Sequence, residues 1–409
     1  MPTPSLILVP ARFKTGKLYT PLATTSDGTV LGASGDFNVT RATAATRVNA
    51  SGFIESVASG IPRLDYFASG GTVGCPALLV EPSGSNLALQ SAAIQTSPWS
   101  ELIAGTGVAP TITANNAVAP DGTTTATKIL LDRGAGTTVS DASIWNQSIT
   151  VTAVAHTFSV WLKSATGGNQ VVQLRANSAP LTTITITTDW QRFTVVNTPA
   201  AGSRQYGFDL RGNTAGAGQT AEFYAWGAQV ETGSVATSYI PTTTASVTRN
   251  ADVISVSGAV SGSIGQTEGT IYVEGVISNY ADAAASFITI SDNTINNRVE
   301  IRKGSTNSSI ILERASSTPG GSISITATSQ ANGVFKMAVA YKSGDTAFFI
   351  NGIQVGITNT ATFTMNALTH IYLGSNAAGS ARFLNDRIRA AALYTTRLTN
   401  DQLAAITQL

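Results

Sequence analysis

The sequence predicts an all-β protein: a small N-terminal β-rich module, two antiparallel β-sandwich (jelly-roll) domains, and a short C-terminal helix. Three observations carry that expectation. Only 11% of the 409 residues are charged, against about a quarter in ordinary globular chains. Thr, Ser, Asn, Gln and Gly must therefore cover the surface, and they suit strands and turns better than helix faces. Apolar and polar residues alternate at a period of two in one stretch after another, with no sustained helical period. Finally, "TAFFINGIQVG" at 346–356 sets Asn351-Gly352 between two such runs. Asn-Gly is the strongest short-range hairpin signal, because both turn positions need positive φ.

From 1 to 85 short apolar strands alternate with turns such as "TSDGTVLGASGD", a pattern that buries little by itself. This segment is read as an attachment module that leans on a neighbour. Its removal is expected to spare whatever the rest of the chain binds. From 86 to 248 the strands are plainer. "HTFSVWLKS" puts Phe158, Val160 and Leu162 on one face and Ser159, Trp161 and Lys163 on the other. Ile184 and Ile186 are flanked by threonines. "AEFYAWGAQVE" is read as one strand with Tyr224, Trp226, Ala228 and Val230 sharing a face. From 249 to 409 come "GTIYVEGVIS", "ASFITISD", "NRVEIRKG", "SIILERA", "FKMAVAYKSGDTAFFINGIQVG" and "THIYLGSN". Met337, Val339 and Tyr341 point one way with polar neighbours pointing the other. At the end, Thr399 and Gln402 have capping-box spacing, and Leu398, Leu403, Ile406 and Leu409 line one side of a short helix.

Charge removes two classes of function. Lys and Arg nearly balance Asp and Glu, leaving +1, and no basic stripe is present to neutralise a nucleic-acid backbone. No apolar stretch reaches the length of a membrane span, so no membrane insertion is expected. The single cysteine, Cys75, excludes an intrachain disulfide and reads as a buried strand residue. The first residues have no basic region ahead of an apolar run, which predicts cytoplasmic synthesis without Sec-type export.

"MAVAYKSGDTAFFINGIQVG", "IYLGSN" and "FLNDRIRAAALYTTRLTNDQLAAI" together resemble laminin-G-like, concanavalin-A-like lectin sandwiches. "SNLALQSAAIQTSPWS", "APDGTTTATKIL", "HTFSVWLKS", "DWQRFTV" and "FYAWGAQVETGSVATSYIPTTTASVTRNAD" are similar to carbohydrate-binding-module-like jelly rolls of bacteriophage virion proteins. "VTRATAATRVNASGFIESVASGIPRLDY" and "PALLVEPSGSNL" resemble the leader of the same proteins. The resemblance implies a tail fibre, head fibre or decoration protein displayed on the virion surface. It implies other virion proteins and host-surface glycans as partners, and a homo-oligomer. The alternatives are a purely structural decoration protein binding other virion proteins, and a polysaccharide-degrading spike.

No enzyme is expected. His156 and His370 each open a predicted strand, and no cluster has metal-ligand spacing. Nucleophile elbows, P-loops and dinucleotide fingerprints are absent. A glycosidase needs only two carboxylates, for which Glu222, Glu231, Asp282, Asp292 and Glu300 are the candidates, though nothing in the sequence pairs them. "FKTGK" and "RIR" read as solvated faces. Sugar binding would use aromatic faces, and the candidates are Trp161, Trp190 and Tyr206, with Tyr224 beside them and Trp226 assigned to the core. The resemblance also implies calcium, for which Asp292, Asn293 and Asp386, with Asn296, Asn297 and Asn385 nearby, offer oxygens.

Overall fold

The computed structural model describes residues 2–11, 13–19, 36–66, 68–69, 72–177, 181–258, 262–281, 283–317 and 321–409. Most of "TSDGTVLGASGD" and the carboxylate candidate Asp282 lie outside the described residues. The described residues are all-β apart from one short C-terminal α-helix and brief 3₁₀ turns at 262–263 and Ala377–Gly379. It forms two compact units. One comprises residues 1–52, 56–83 and 250–409; the other comprises 53–55 and 84–249.

The middle unit has two five-stranded antiparallel sheets. One runs Ser100–Ala104, Ala142–Val151, Gly202–Arg211, Gln170–Ala176, Thr182–Ile186. The other runs Val108–Ala117, Ala126–Asp132, Thr220–Thr232, His156–Ser164, Gln191–Asn197. Phe158, Val160 and Leu162 face the inter-sheet core, as the alternation predicts. The strand Thr220–Thr232 departs from the prediction. Its register against His156–Ser164 slips between Ser159 and Trp161, and Gly227 takes a φ of +68°. One extra residue in a strand reverses the faces beyond it. Ala221, Phe223 and Ala225 face the core before the bulge, and Ala228 and Val230 face it afterwards. Trp226 is thereby delivered to the outer face.

The other unit is a larger sandwich. Its eight-stranded sheet runs Ile353–Gln354, Ala347–Ile350, Gly333–Lys342, Glu268–Ile277, Asp386–Tyr394, Ala77–Val80, Arg63–Asp65, and Leu6–Leu8 also pairs with Asp386–Tyr394. Its nine-stranded sheet runs Phe13–Lys14, Lys17–Leu18, Phe37–Thr40, Val253–Ser257, His370–Leu373, Ala285–Ser291, Arg298–Lys303, Ile310–Ala315, Ile323–Ala327. Residues 1–85 are therefore not a module of their own, contrary to the sequence reading. They supply strands to both sheets and place Leu6, Leu8, Leu18, Phe37, Val39, Leu64, Leu78 and Val80 in the shared core. Pairing partners more than 200 residues apart, such as Val39 and Ile254, leave no trace in local periodicity.

A buried ion cluster stitches this N-terminal segment in place. Arg41 Nη1 lies 2.8 Å from Asp252 Oδ1, and Arg63 Nη1 lies 2.6 Å from Glu81 Oε2. Arg63 also bonds Asp252. All four side chains are buried, so each charge depends on the others.

The opening hairpin is as predicted: Asn351 and Gly352 have φ of +49° and +83° and join Ala347–Ile350 to Ile353–Gln354 at the edge of the eight-stranded sheet. Thr399 caps the helix Asn400–Thr407 in a full capping box with Gln402. This helix covers Ala338, Ala340 and Phe349, with Leu398 and Leu403 buried beneath it. The neighbours of Met337, Val339 and Tyr341 are thus small apolar residues under a helix, not polar ones facing water. Leu409, assigned to the helix face, is 70% exposed. Cys75 is exposed just before Ala77–Val80, correcting its reading as a buried strand residue.

Candidate functional site

The aromatic residues expected to hold sugar are already occupied. Trp161 points away from the inter-sheet core, as its alternation requires. Its ring packs edge-on to Trp226 and Tyr239, at centroid separations of 5.6 and 5.8 Å. The Arg192 guanidinium lies 4.3 Å from its centroid. That guanidinium is pinned by Thr237 O at 2.7 Å and Ser159 Oγ at 2.9 Å, so it covers one face of the indole. Trp190 packs against the same cluster, its Nε1 donating to Val118 O at 3.0 Å. Tyr206 is not a ligand residue at all. It is 1% exposed in the inter-sheet core, edge-on to Phe158. Its hydroxyl has no hydrogen-bond partner among the described residues, and burial pushes the phenol up to about 12. Sequence periodicity placed Trp161 on the correct face, but the return segment holding Tyr239 closes over it.

The calcium candidates do not converge. Asp386 is buried, and its oxygens accept from Ser278 N at 2.7 Å and Ser278 Oγ at 2.9 Å. Asp292 accepts from Thr294 and Asn366, and Asn293 from Tyr372. Among the described residues no group of three or more His, Cys, Asp or Glu side chains is placed to hold a metal. Both histidines are structural: His156 Nδ1 sits 2.8 Å from Val154 O, and His370 stacks on Tyr372. Arg387 and Arg389 of "RIR" pair with Asp65 and Glu274 instead of facing water alone.

The carboxylate candidates separate in the same way. Glu222 pairs with Lys128 at the surface. Glu231 is buried and receives Thr237 N at 2.9 Å, Thr237 Oγ1 at 2.5 Å and Gln229 Nε2 at 2.6 Å. Among the described candidates only Glu300 stands beside another carboxylate, Glu313, and Glu313 lines a cleft.

That cleft, of about 960 Å³, is lined by Arg298, Arg302, Glu313, Ser322, Ser324 and Arg382, with Ile295, Asn296 and Ser316 at its rim. It is built by strand alternation. Val299 and Ile301 point into the sandwich core, so Arg298, Glu300 and Arg302 share the outer face of their strand. Register sets Glu300 opposite Glu313, and Glu313 opposite Ser324, in a row across three strands. Like charges directly opposite destabilise a sheet, and arginines resolve the conflict here. Arg298 Nε lies 2.9 Å from Glu300 and its Nη2 bonds Glu313. Arg302 Nε lies 2.9 Å from Glu313 Oε2. Arg382, from the loop before Asp386–Tyr394, reaches Glu300 at 2.8 Å and Glu313 at 3.3 Å. Ser286 Oγ donates to the remaining Glu300 oxygen. Burial pushes the Glu313 carboxyl up, but the three guanidiniums and the Arg302 hydrogen bond outweigh it and hold the group below the usual range.

Arg298, Arg302, Glu313 and Arg382 were missed by the sequence reading. The available signal was Arg-x-Glu-x-Arg at 298–302: three charges on one strand face in a chain with few charges.

No family model and no curated protein sequence matches the chain. Solved structures similar to part of it include the CBM40 module of the Ruminococcus gnavus IT-sialidase bound to α2,3-sialyllactose. That match has 15% identity and a TM-score of 0.31, over 35% of this chain and 84% of the module. Domain 4 of AbnA, a GH43 extracellular arabinanase from Geobacillus stearothermophilus, in complex with arabinotriose, matches at 13% identity and a TM-score of 0.32, over 43% and 82%. The receptor-binding domain of botulinum neurotoxin C/D mosaic serotype matches at 13% and 0.31, over 38% and 40%.

Proposed function

We propose that the chain is a non-catalytic surface component of a bacteriophage particle, a tail-fibre, head-fibre or decoration protein, that adheres to host-surface glycans through the cleft on its nine-stranded sheet. The carrying observation is the cleft itself. It offers guanidinium, hydroxyl and amide groups around a depression on a rigid sheet, the setting in which polar groups read a sugar's hydroxyls. The phage assignment draws on the resemblance of the leader and jelly-roll segments. A homo-oligomeric display would let several weak sites engage together, raising avidity well above single-site affinity.

The carboxylates favour binding over hydrolysis. A glycosidase of the common type needs one carboxyl protonated as general acid. Glu313 instead has both oxygens paired with arginines, which hold it below its usual range, and Glu300 accepts from Arg298, Arg382 and Ser286. The test is binding of the full chain, multimerised, to an array of bacterial surface polysaccharides. Selective binding, lost when Ser324→Trp fills the cleft, is the expected result. No binding in multimeric form, or release of reducing ends from a bound polymer, would overturn the respective half of the proposal.

A second reading, a purely structural decoration protein, draws on the middle unit. There the edge strand Val108–Ala117 carries no charge and is exposed or half-buried along its whole length; although Pro110 and two register shifts interrupt it, it is a sheet edge at which another chain can pair. Thr111→Lys would then lower incorporation into particles and leave polysaccharide binding unchanged.

A further inference from the structure

The cleft has an unbalanced charge. Three guanidiniums line it, those of Arg298, Arg302 and Arg382, and they pair with two carboxylates, Glu313 on the same wall and Glu300 fully buried beside it. The three arginines are not equivalent. Arg298 is 5% exposed and spends Nε, Nη1 and Nη2 on Glu300, Ile295 O and Glu313. It is a strut. Arg314, next along the wall, is buried and turned inward, bonding Gly321 O and Thr346 Oγ1 with its guanidinium over the Phe363 ring. It too is committed to the protein.

Arg302 and Arg382 differ from both. Arg302 uses only Nε, toward Glu313; Arg382 uses only Nη1, toward Glu300 and Glu313. Both converge on the same oxygen, Glu313 Oε2, which holds two like charges side by side. Their side chains are 17% and 32% exposed, and their remaining N–H groups have no acceptor among the described residues. Arg382 is also held at a φ of +52°, a left-handed backbone that a non-glycine side chain adopts at a cost. With Arg298 already on both Glu300 and Glu313, these two partly desolvated guanidiniums leave three positive charges on two carboxylates, and a further anion completes the arrangement. Guanidinium forks match carboxylates in plane and spacing. The neighbouring Ser322, Ser324 and Asn296 suit the hydroxyls of the same molecule.

We infer that the cleft takes an acidic saccharide, with the carboxylate of one sugar residue seated on Arg302 and Arg382 and its ring hydroxyls directed to the serines of the adjoining strand. This rests on the glycan-binding reading of the cleft and adds the ligand's chemical class to it.

The full chain is tested on bacterial polysaccharides in three groups: carboxylated, phosphorylated or sulfated, and neutral. Each carboxylated polymer is also presented after chemical reduction of its carboxyls to alcohols. Binding is expected on carboxylated polymers, to be lost on carboxyl reduction, and to weaken as salt rises. Arg302→Gln or Arg382→Gln should weaken it by about 10- to 100-fold, the worth of one charge-assisted contact. Arg302→Lys, which keeps the charge and loses the fork, should fall between Gln and the parent chain. Thermal melting of each variant separates lost contact from lost fold.

Binding to neutral or carboxyl-reduced polymers at equal strength, still blocked by Ser324→Trp, would overturn the anion inference and leave the cleft as a glycan site. A preference for phosphorylated or sulfated polymers would overturn the carboxylate assignment. Carboxylate-selective binding untouched by Ser324→Trp and Arg302→Gln would move the site elsewhere and overturn both. No binding to any polymer would overturn the glycan reading itself.

Discussion

Two outward faces of this molecule carry side chains of the kind that bind sugars, and they met opposite fates. In the middle unit Trp161 and Trp226 leave the sheet on its outer side, where Tyr239 of the chain's own return segment packs on them, with Trp190 and Tyr224 against the same cluster. On the nine-stranded sheet of the other unit the outer face carries charges instead, and it stays open as a cleft. Exposed aromatic surface is costly in water and recruits a covering segment. Charged groups gain nothing from such a cover and are satisfied by pairing in place. An aromatic residue facing outward on a strand is therefore weak evidence for a platform, and an unbalanced set of charges on one strand face is the better sign of an open site.

The comparison can be broken most decisively at the N-terminal segment. If residues 1–83 belong to the same body as the cleft, deleting them removes eight core side chains. At roughly 1.5–3 kcal/mol for each buried side chain, the loss matches or exceeds a domain's whole stability of about 5–15 kcal/mol. The deletion should give insoluble protein with no polysaccharide binding. Soluble, binding-competent 84–409 would restore the separate-module reading. Next in size is Asp252→Ala, which leaves Arg41 and Arg63 short of a buried partner and should cost about 3–5 kcal/mol, measured by chemical denaturation.

Trp226→Ala tests the closed face. It should destabilise the middle unit by about 3–5 kcal/mol while leaving cleft binding unchanged at temperatures where the variant is folded. A selective loss of binding without loss of stability would reinstate the aromatic platform. Gly227→Ala probes the bulge beneath it. A Cβ there would meet Trp161 Cε3 at 2.8 Å, at a φ of +68°, so a loss of about 1–3 kcal/mol is expected. The smallest effect is at Tyr206. Its hydroxyl is buried without a partner among the described residues, so Tyr206→Phe should leave stability unchanged or raise it by up to about 1 kcal/mol, with binding intact.

The open face has its own pH signature. The Glu313 carboxyl is held below its ordinary value, so its contribution to stability is complete above about pH 4.5 and is lost as pH falls through the lower folded value. The melting-temperature difference between the parent chain and Glu313→Gln should be flat from neutral pH to about 5 and shrink below it. A difference that persists unchanged in acid would count against the arginine pairing.

Local features of the sequence were sufficient wherever the deciding interaction is local. The Asn351-Gly352 turn, the capping box at Thr399 and Gln402, and the inward set Phe158, Val160 and Leu162 each depend on residues a few positions apart, and each was legible. The faces of Tyr224 and Trp226 against Ala228 and Val230 were not, because period two assumes an unbroken register and Gly227 breaks it. The cleft was half legible: Arg298, Glu300 and Arg302 alternate visibly, but nothing local joins them to Glu313 or Arg382.

By itself the sequence determined an all-β protein with its hairpins, its helix cap and its scarcity of charge, since turn chemistry and alternation act over two to four residues. Only the tertiary structure decided that residues 1–52 and 56–83 belong with the last sandwich, that Trp161 is covered, and that two glutamates and three arginines meet on one face. Those outcomes turn on which strands pair across some 15 to more than 300 positions, and on which surfaces the chain covers when it returns; neither is encoded in the spacing of neighbours.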